Sequence, residues 1–288
     1  MHSSINSKDN MKLKKLFFTL ALMLGCITAS AQTDSTFYIK GPMGRLAARL
    51  QLPALQQGEK CPMVILCHGF TANMQGPLFD TISDKLTEAG IGVVRFDFNG
   101  HGASEGDFIN MTVPNEIDDV LAVIAFTRNL PQTASISLLG HSQGGVVSAM
   151  TAGRLGKYAI RSVVLMAPAA VLRDDALRGN TMGVVYDPWH APEYITMPSG
   201  HKLGRNYIQT ALELPIYETA SRYDGPVLVI HGMDDRIVPY TYGERFHQTM
   251  KKSEMTLIPG ENHGFGANLQ YATSVASSWL IKKLKDGK

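Results

Sequence analysis

The chain has 288 residues, of which 44% are hydrophobic and 18% are charged, and its formal net charge is +2 at pH 7. A chain of this length and apolar content can bury one large core, so we expect a single folded domain of ordinary size. After the lysines at 8–15, no basic block precedes the short lysine-rich C-terminal tail, which argues against nucleic acid or an anionic membrane surface as a partner.

Residues 1–31 have the pattern of a secretory signal peptide. Lysines precede an apolar run over 16–27, and the small-residue site Ala29-Ser30-Ala31 follows. The run has about 12 residues, against the roughly 20 that a membrane-spanning helix needs. We therefore predict no membrane span and export to the periplasm or the extracellular space. A lipid anchor on Cys26 is the less favoured alternative.

Apolar runs and helical segments alternate along residues 32–288, which we predict to form one domain. Continuous apolar strands joined by helical crossovers predict an α/β fold, with a mostly parallel sheet covered by helices on both faces. The predicted strands lie at 35–40 and 45–52 in a hairpin, then at 63–67, 93–97, 136–139, 163–166, 226–231 and 255–258. The predicted helices lie at 78–89, 113–129, after Ser142, at 240–251 and at the C-terminus up to Leu284.

This alternation is interrupted over about residues 169–223, a stretch rich in glycine, proline, tyrosine and charged residues. Roughly fifty residues between two strands of a compact sheet are too many for a plain connection. We predict that this insertion forms a lid over the functional cleft.

The segment Gly140-His141-Ser142-Gln143-Gly144 lies between a predicted strand and a predicted helix. A serine hydroxyl is a poor nucleophile unless it is held clear of its own strand and close to a base. The glycines two residues before and after Ser142 remove the Cβ atoms that would clash in a tight strand-to-helix elbow. The context predicts that Ser142 is a nucleophile, and a glycine-rich turn without chemistry is the alternative.

The acid and the base that would accompany Ser142 can be sought by chain order. Functional groups gather at the carboxyl ends of parallel strands, and in this type of elbow the order is Ser, Asp, His. Asp235 follows the strand at 226–231 and is the predicted acid, with Asp234 as its competitor. His263 follows the last strand in a loop and is the predicted base, whereas His247 is expected on a helix surface.

An acyl-transfer site also needs donors for a developing oxyanion. We predict the backbone N–H groups of Gln143, directly after the nucleophile, and of Phe70, in the loop after the strand at 63–67. His68 is expected to support that loop. The glycine turn at 97–104 lacks the spacing of a dinucleotide site, and the histidines are scattered along the chain. We therefore expect neither a metal nor another cofactor.

Five segments together resemble the α/β-hydrolase superfamily in its serine esterase branch. They are His68-Gly69-Phe70, the loop from Asp97 to Ser104, the Ser142 elbow, the Asp235 turn and the His263 loop. Within the insertion, further segments resemble bacterial cinnamoyl (feruloyl) esterases, namely Ala167-Pro168-Ala169-Ala170, the stretch from Asp175 to Thr181, Tyr186-Asp187-Pro188 and the stretch from Leu214 to Glu218. The resemblance implies hydrolysis of hydroxycinnamate esters, such as those on plant cell-wall polysaccharide, through an acyl-enzyme intermediate.

The same resemblance implies that Asp175 and Tyr207 contact the phenolic end of the acyl group. Two positions depart from the family pattern, because Met182 replaces a glutamine and Asn99 replaces an arginine. The lid aromatics could instead pack the insertion on itself. A carboxylesterase, lipase or peptidase of other specificity on the same fold stays open as an alternative, and a binding module without catalysis is the least favoured.

Overall fold

The computed structural model describes residues 32–285, so the predicted signal peptide at 1–31 and Cys26 lie outside the described residues. In chain order the strands are β1 (Thr33–Gly41), β2 (Gly44–Leu52), β3 (Cys61–Cys67), β4 (Gly92–Phe96), β5 (Thr133–His141), β6 (Val163–Met166), β7 (Asn180–Thr181), β8 (Val184–Val185), β9 (Tyr194–Thr196), β10 (Lys202–Gly204), β11 (Val227–Gly232) and β12 (Ser253–Ile258). The helices are α1 (Pro77–Glu88), α2 (Val113–Asn129), α3 (Gln143–Leu155), α4 (Val171–Arg178), α5 (Arg205–Leu212), α6 (Ile216–Ala220), α7 (Thr241–Thr249) and α8 (Leu269–Lys285).

An eight-stranded sheet with the order β1-β2-β4-β3-β5-β6-β11-β12 forms the centre of the fold. β1 and β2 form an antiparallel hairpin at one edge, and β2 pairs antiparallel with β4. From β4 to β12 all neighbouring strands run parallel. Every residue of β4, β6 and β11 is buried, which explains why these strands are mostly apolar in the sequence, with Arg95 in β4 and His231 in β11 as the exceptions. The predicted mostly parallel α/β sheet is confirmed.

Successive residues of β3 point into two separate cores, one on each face of the sheet. Met63 and Ile65 pack in the core that α2 and α3 cover, whereas Val64 and Leu66 pack in the core that α1 and α8 cover. Side chains alternate across a strand, so a strand that is apolar at every position must be covered on both faces. This two-sided burial positions the loops at the carboxyl ends of the strands on a rigid base.

The strand before the nucleophile is longer than its apolar run. β5 begins at Thr133, and its first residues are partly exposed although they pair with β3. Its last residue is His141, so the strand continues to the residue before Ser142. Exposed strand ends carry little hydrophobic signal, which is why the pattern predicts only the central residues 136–139.

The predicted insertion between β6 and β11 has its own local structure. It contains α4, α5 and α6 and two small antiparallel sheets, β7-β8 and β9-β10. Helix α6 packs so closely on α3 that a Cβ atom at Gly153 would collide with the carbonyl of Thr219. The described part of the chain contains no helix with the length and hydropathy needed to cross a membrane.

Candidate active site

Ser142 lies in a tight turn between the end of β5 and the start of α3. Its φ is 56°, which is an unfavourable value for a residue with a side chain. A Cβ at Gly140 would collide with the carbonyl of Gly144, and a Cβ at Gly144 would collide with the carbonyls of Cys67 and His68. Glycine is therefore required on both sides of the elbow, which holds the Ser142 hydroxyl clear of its own strand.

The structure brings Ser142, His263 and Asp235 into one hydrogen-bonded chain. His263 Nε2 lies 2.9 Å from Ser142 Oγ, and His263 Nδ1 lies 2.7 Å from Asp235 Oδ2. A carboxylate can only accept, so His263 donates its Nδ1–H to Asp235 and leaves Nε2 free to accept the proton of Ser142. The three residues follow β5, β11 and β12, at the carboxyl edge of the sheet. This is the arrangement that the chain order predicts.

The two competitors lie away from this chain. Asp234 is exposed, whereas the side chain of Asp235 is fully buried. His247 lies on the exposed side of α7 and hydrogen-bonds to Ser253. Position in the fold therefore favours Asp235 as the acid and His263 as the base.

Asp235 is held by more partners than the sequence indicates. Its Oδ1 accepts the backbone N–H groups of Ile237 and Val238, at 2.9 and 2.8 Å. Its Oδ2 lies 3.2 Å from Nε2 of His231, a fully buried residue whose Nε2 also lies 2.9 Å from the carbonyl of Val238. Burial acts to raise the pKa of Asp235, but hydrogen bonds from His231 and His263 outweigh it, and the pKa lies well below its ordinary value. Asp235 therefore stays ionised.

The predicted oxyanion donors lie beside the nucleophile. A Cβ at Gly69 would come within 2.8 Å of Ser142 Cβ, so the loop that carries Phe70 packs directly on the elbow. Among the hydrogen bonds of residues 32–285, none uses the backbone N–H of Phe70 or of Gln143. Gln143 is also the first residue of α3, where the helix dipole favours negative charge. Both N–H groups are thus available to an oxyanion.

Two further histidines near the site have structural contacts. His68 Nδ1 donates to the carbonyl of Gly69, and His68 Nε2 accepts the N–H of Phe98 at 3.1 Å. His141 Nε2 lies 2.8 Å from the carbonyl of His263, and the two rings lie 5.0 Å apart. Burial lowers the pKa of His68 to about 3 and that of His141 to about 4. Both rings are therefore neutral at ordinary pH and position the loops around Ser142.

The neutral state of His68 and His141 bears on the shape of the pH profile. A protonated His263 cannot accept the Ser142 proton, so activity should fall as pH decreases. Because His68, His141 and Asp235 do not change charge between about pH 5 and 8, none of these three residues should add a second protonation to that limb. We expect log kcat/KM for a neutral ester to fall with a slope of one. A slope of two would show that a second group at the site titrates in this range.

The side chain of Gln143 belongs to a buried polar chain that sequence reasoning missed. Gln143 Nε2 donates to Glu116 Oε2 at 2.8 Å, and Tyr207 donates its hydroxyl to Gln143 Oε1 at 2.8 Å. Glu116, Gln143 and Tyr207 are all buried, and burial raises the pKa of Glu116 well above its ordinary value. The chain ties α2 and the insertion helix α5 to the first residue of the nucleophile helix. The only available signal was the presence of acids, Glu116 and Asp119, on the mostly apolar face of the α2 sequence.

The predicted substrate-contacting residues share a cavity with the nucleophile. This cavity, which we call the Ser142 cavity, has a volume of about 590 Å³. Ser142, Phe70, Asp175, Met182 and Tyr207 contribute to its walls. The insertion therefore supplies part of the cavity wall, through α4, α5 and the turn after β7.

Asp175 and Tyr207 differ in how their polar groups are used. Asp175 pairs with Arg178 and its side chain is 20% exposed, and burial raises the pKa of the carboxyl although the arginine acts to lower it. The Tyr207 hydroxyl is bonded to Gln143, while its ring lies 5.7 Å from the ring of Phe70. Asp175 thus presents a charge to the cavity, and Tyr207 chiefly presents a ring.

The remaining sequence-based interpretations concern packing. Tyr217 packs on Phe246 and is buried, so this lid aromatic supports the fold. Asn99, at the position of the family arginine, donates twice to Asp119 from its backbone and side chain. The lid aromatic Trp189, by contrast, is 73% exposed, so it does not pack in the interior of the insertion.

The assembled groups have the composition of an acyl-transfer site. A nucleophile contacts a base, the base contacts an ionised acid, and two N–H donors lie next to the nucleophile. Among residues 32–285, no group of three or more His, Cys, Asp and Glu side chains is placed to hold a metal ion.

Comparison with known proteins supports this interpretation. The family Hydrolase_4, described as serine aminopeptidase S33, matches residues 58–190. The structure of Est1E from Butyrivibrio proteoclasticus with bound ferulic acid is similar to this chain, with a TM-score of 0.82 and 30% sequence identity. That similarity covers 86% of this chain and 98% of Est1E.

Two curated relatives are named for activities on other acyl substrates. The mitochondrial palmitoyl-protein thioesterase ABHD10 of Mus musculus is 26% identical over 199 residues, which cover 67% of this chain and 66% of that protein. The monoacylglycerol lipase of Mycolicibacterium smegmatis is 25% identical over 255 residues, covering 77% of this chain and 89% of the lipase.

Proposed function

Because the chain belongs to the α/β-hydrolase superfamily of serine hydrolases, we propose that it is an esterase that hydrolyses hydroxycinnamate esters of the feruloyl type. The observation that carries the proposal is the position of Asp175 and Tyr207, which line the same cavity as Ser142. The 30% identity to Est1E, whose structure holds ferulic acid, agrees with it. Export rests on the sequence pattern of residues 1–31 and is part of the proposal.

In the proposed mechanism, His263 Nε2 takes the proton of Ser142 while Ser142 Oγ attacks the ester carbonyl carbon. The oxyanion that forms accepts hydrogen bonds from the N–H groups of Phe70 and Gln143. Asp235 stabilises the His263 cation, which then gives its proton to the departing alcohol oxygen. Water attacks the acyl-enzyme by the same route, and the carboxylic acid leaves.

The Ser142 cavity suits a flat acyl group with one polar end. Its volume lies within the range of small-molecule sites, roughly 300–1,000 Å³. The rings of Phe70 and Tyr207 form an aromatic wall, against which a cinnamoyl ring can pack. Because the Tyr207 hydroxyl is already bonded to Gln143, Asp175 is the better candidate to accept a hydrogen bond from a phenolic hydroxyl.

This assignment predicts a selective effect of Asp175→Ala. A hydrogen bond to a charged group contributes about 1.5–3 kcal/mol, or roughly 10- to 150-fold in kcat/KM. We expect kcat/KM for methyl ferulate to fall at least tenfold and that for methyl cinnamate, which lacks the hydroxyl, to change much less. The measurement is kcat/KM for both esters with each enzyme.

Asp174→Ala is the matched control. Asp174 is the neighbouring acid on α4, but it accepts a hydrogen bond from Tyr242 and does not line the cavity. The control should keep the wild-type ratio of the two esters. Equal losses on both esters in Asp175→Ala would mean that Asp175 supports the fold of the insertion, and the proposal would lose its main support.

A long-chain acyl ester or thioester is the alternative substrate, because two relatives carry such activities in their names. Apolar residues such as Leu172 and Val238 also line the cavity. Turnover of methyl ferulate should be compared with that of a palmitoyl ester and a palmitoyl thioester. Peptidase activity is less favoured, because Asp175 is the one acid among the described residues lining the cavity, so no pair of acids is present there for a substrate amine.

A further inference from the structure

Tyr207, on the insertion helix α5, contacts both residues whose backbone N–H groups are available to an oxyanion. Its hydroxyl donates to Gln143 Oε1 at 2.8 Å, and its ring lies 5.7 Å from the ring of Phe70. Tyr207 itself is buried, so these contacts are shielded from water. The insertion therefore contacts the chemical centre of the site and does not only form a wall of the Ser142 cavity.

The side chain of Gln143 is held at both of its polar atoms. Nε2 donates to Glu116 Oε2 at 2.8 Å, while Oε1 accepts from Tyr207. Loss of either partner would leave a buried polar atom unpaired, so the amide has one favoured position. Gln143 directly follows Ser142, whose φ of 56° is strained. A strained backbone persists only where surrounding contacts hold it, and the Gln143 side chain provides such a contact.

The start of α5 is fixed against the segment that leads into α2. Phe108 and Ile109 lie in a short 3-10 turn before that helix. A Cβ atom at Gly204, the residue before α5, would collide with the carbonyl of Ile109. The ring of Phe70 packs on Phe108 at 5.4 Å as well as on Tyr207. This packing holds α5 in place beside both oxyanion donors.

The two partners of Gln143 hold it without adding negative charge. Burial raises the pKa of Glu116 well above its ordinary value and does the same for the Tyr207 hydroxyl. Burial therefore favours the neutral form of each group. An ionised carboxylate at this depth would act against a second negative charge on a nearby oxyanion, whereas a neutral acid does not.

We propose that Tyr207 and Glu116 are positioning residues for the oxyanion hole, which hold the Gln143 side chain so that its backbone N–H points at the oxyanion. Both act through Gln143 and not on the ester group itself. The insertion would thus set the rate of acyl transfer in addition to the substrate preference. This role rests on the proposed esterase function, but it does not depend on which acyl group is transferred.

Tyr207→Phe tests the hydroxyl, because the ring that lines the cavity is kept. We expect kcat to fall about tenfold with little change in KM, less than the roughly 10²- to 10³-fold loss that follows removal of an oxyanion donor. The factor should be the same for methyl ferulate, methyl cinnamate and a butyrate ester. An unchanged kcat would overturn the proposal. So would a loss confined to ferulate, because the hydroxyl would then serve the phenolic end of the substrate.

Tyr217→Phe is the matched control on the insertion. The Tyr217 hydroxyl donates to the carbonyl of Tyr242 at 3.3 Å, and Tyr217 does not line the Ser142 cavity. This variant also removes one buried tyrosine hydroxyl bond, so it reports what such a loss does to the insertion alone. We expect its kcat to stay close to that of the wild type.

A double-mutant cycle tests whether Tyr207 acts through Gln143. Gln143→Met has a side chain of similar length and keeps the backbone N–H, but it cannot bond to Tyr207 or Glu116. We expect it to lower kcat at least as much as Tyr207→Phe does. Adding Tyr207→Phe to Gln143→Met should then cause no further loss, because the interaction is already gone. Losses that multiply would show that Tyr207 acts by another route.

Two substitutions test Glu116. Glu116→Leu removes the acceptor for Gln143 Nε2 and should lower kcat about tenfold. Glu116→Gln keeps an acceptor oxygen and matches the neutral form of the acid, so it should recover most of that loss. Equal losses in both variants, or a loss in neither, would exclude Glu116 from the role. If Glu116→Leu fails to fold, the Tyr207 and Gln143 variants still decide the proposal.

Labelling by a fluorophosphonate separates this proposal from the substrate assignment. Ser142 Oγ forms a bond to phosphorus, His263 takes the serine proton, fluoride leaves, and the phosphoryl oxygen takes the place of the oxyanion. The labelling rate does not depend on ester preference, and it should fall about tenfold in Tyr207→Phe. If the hydroxycinnamate assignment is wrong, wild-type turnover of ferulate should be poor while this loss persists. A lowered Tm with an unchanged labelling rate would mean that the Tyr207 hydroxyl only supports the fold, and the proposal would fail.

Discussion

Ser142→Ala should lower kcat for ester hydrolysis by roughly 10⁴-fold or more, because the groups of a catalytic triad act as a unit. Without the hydroxyl there is no oxygen 2.9 Å from His263 Nε2 to attack the carbonyl, and no acyl-enzyme can form. The oxyanion donors and the cavity would remain, so a small residual rate above that in water is compatible with the mechanism. Hydrolysis of a nitrophenyl ester with a burst-phase measurement checks both the rate and the acyl-enzyme.

Ser148→Ala is the matched control, since it removes a buried hydroxyl from the same helix, α3. The Ser148 side chain makes no hydrogen bond in the described structure, and it is not part of the triad. We expect its kcat to stay close to that of the wild type. Retention of a tenth of the wild-type activity in Ser142→Ala would exclude Ser142 as the nucleophile.

The triad could be predicted from the sequence because it depends on local rules. A strand, a glycine-flanked serine and a helix define the elbow, and parallel strands place their carboxyl ends at one edge. Asp235 and His263 directly follow two such strands, so chain order alone places them near Ser142. The same rules predict that the N–H groups of Phe70 and Gln143 lie beside it.

The supporting residues could not be predicted in this way. His231 contacts Asp235 through a turn whose path depends on Val238, and Glu116 contacts Gln143 only because α2 packs on α3. Glu116 and Gln143 lie on different helices, and the contact between His231 and Asp235 depends on the shape of the turn between them. Knowledge of the fold is needed before a buried polar residue can be matched with its partner.

The internal structure of the insertion could not be predicted from the sequence either. Its length predicts a subdomain, but its strands have only two or three residues each and carry no periodic signal. The resemblance implies that Tyr207 contacts the phenolic end of the acyl group, and the structure bonds its hydroxyl to Gln143. The Tyr207 ring still lines the cavity, so its proposed role moves from hydrogen bonding to packing.

The second large loss of activity is expected for a substitution of the acid Asp235. Asp235→Asn should lower kcat by about 10⁴-fold, because an amide in place of the carboxylate favours the wrong tautomer of the histidine. The Asp235 carboxylate accepts from His263 Nδ1 and from His231, and its other oxygen accepts two backbone N–H groups. The backbone donors fix Oδ1, so the NH₂ of an asparagine would lie at the Oδ2 position and face His263 Nδ1. His263 could then accept at Nδ1 only by carrying its proton on Nε2, where it cannot take the Ser142 proton.

Asp234→Asn provides the comparison, since it makes the same change one residue earlier at an exposed position. We expect its kcat to stay within about threefold of the wild type, as is usual for surface substitutions away from such features. Both variants should be compared by circular dichroism and thermal unfolding, because Asp235 also closes the turn before α7 through its bonds to Ile237 and Val238. A folded Asp235→Asn enzyme with near-normal kcat, together with an inactive Asp234→Asn enzyme, would reassign the acid to Asp234. Because Asp235 is buried and ionised while Asp234 faces solvent, the structure favours loss of activity in Asp235→Asn and near-normal activity in Asp234→Asn.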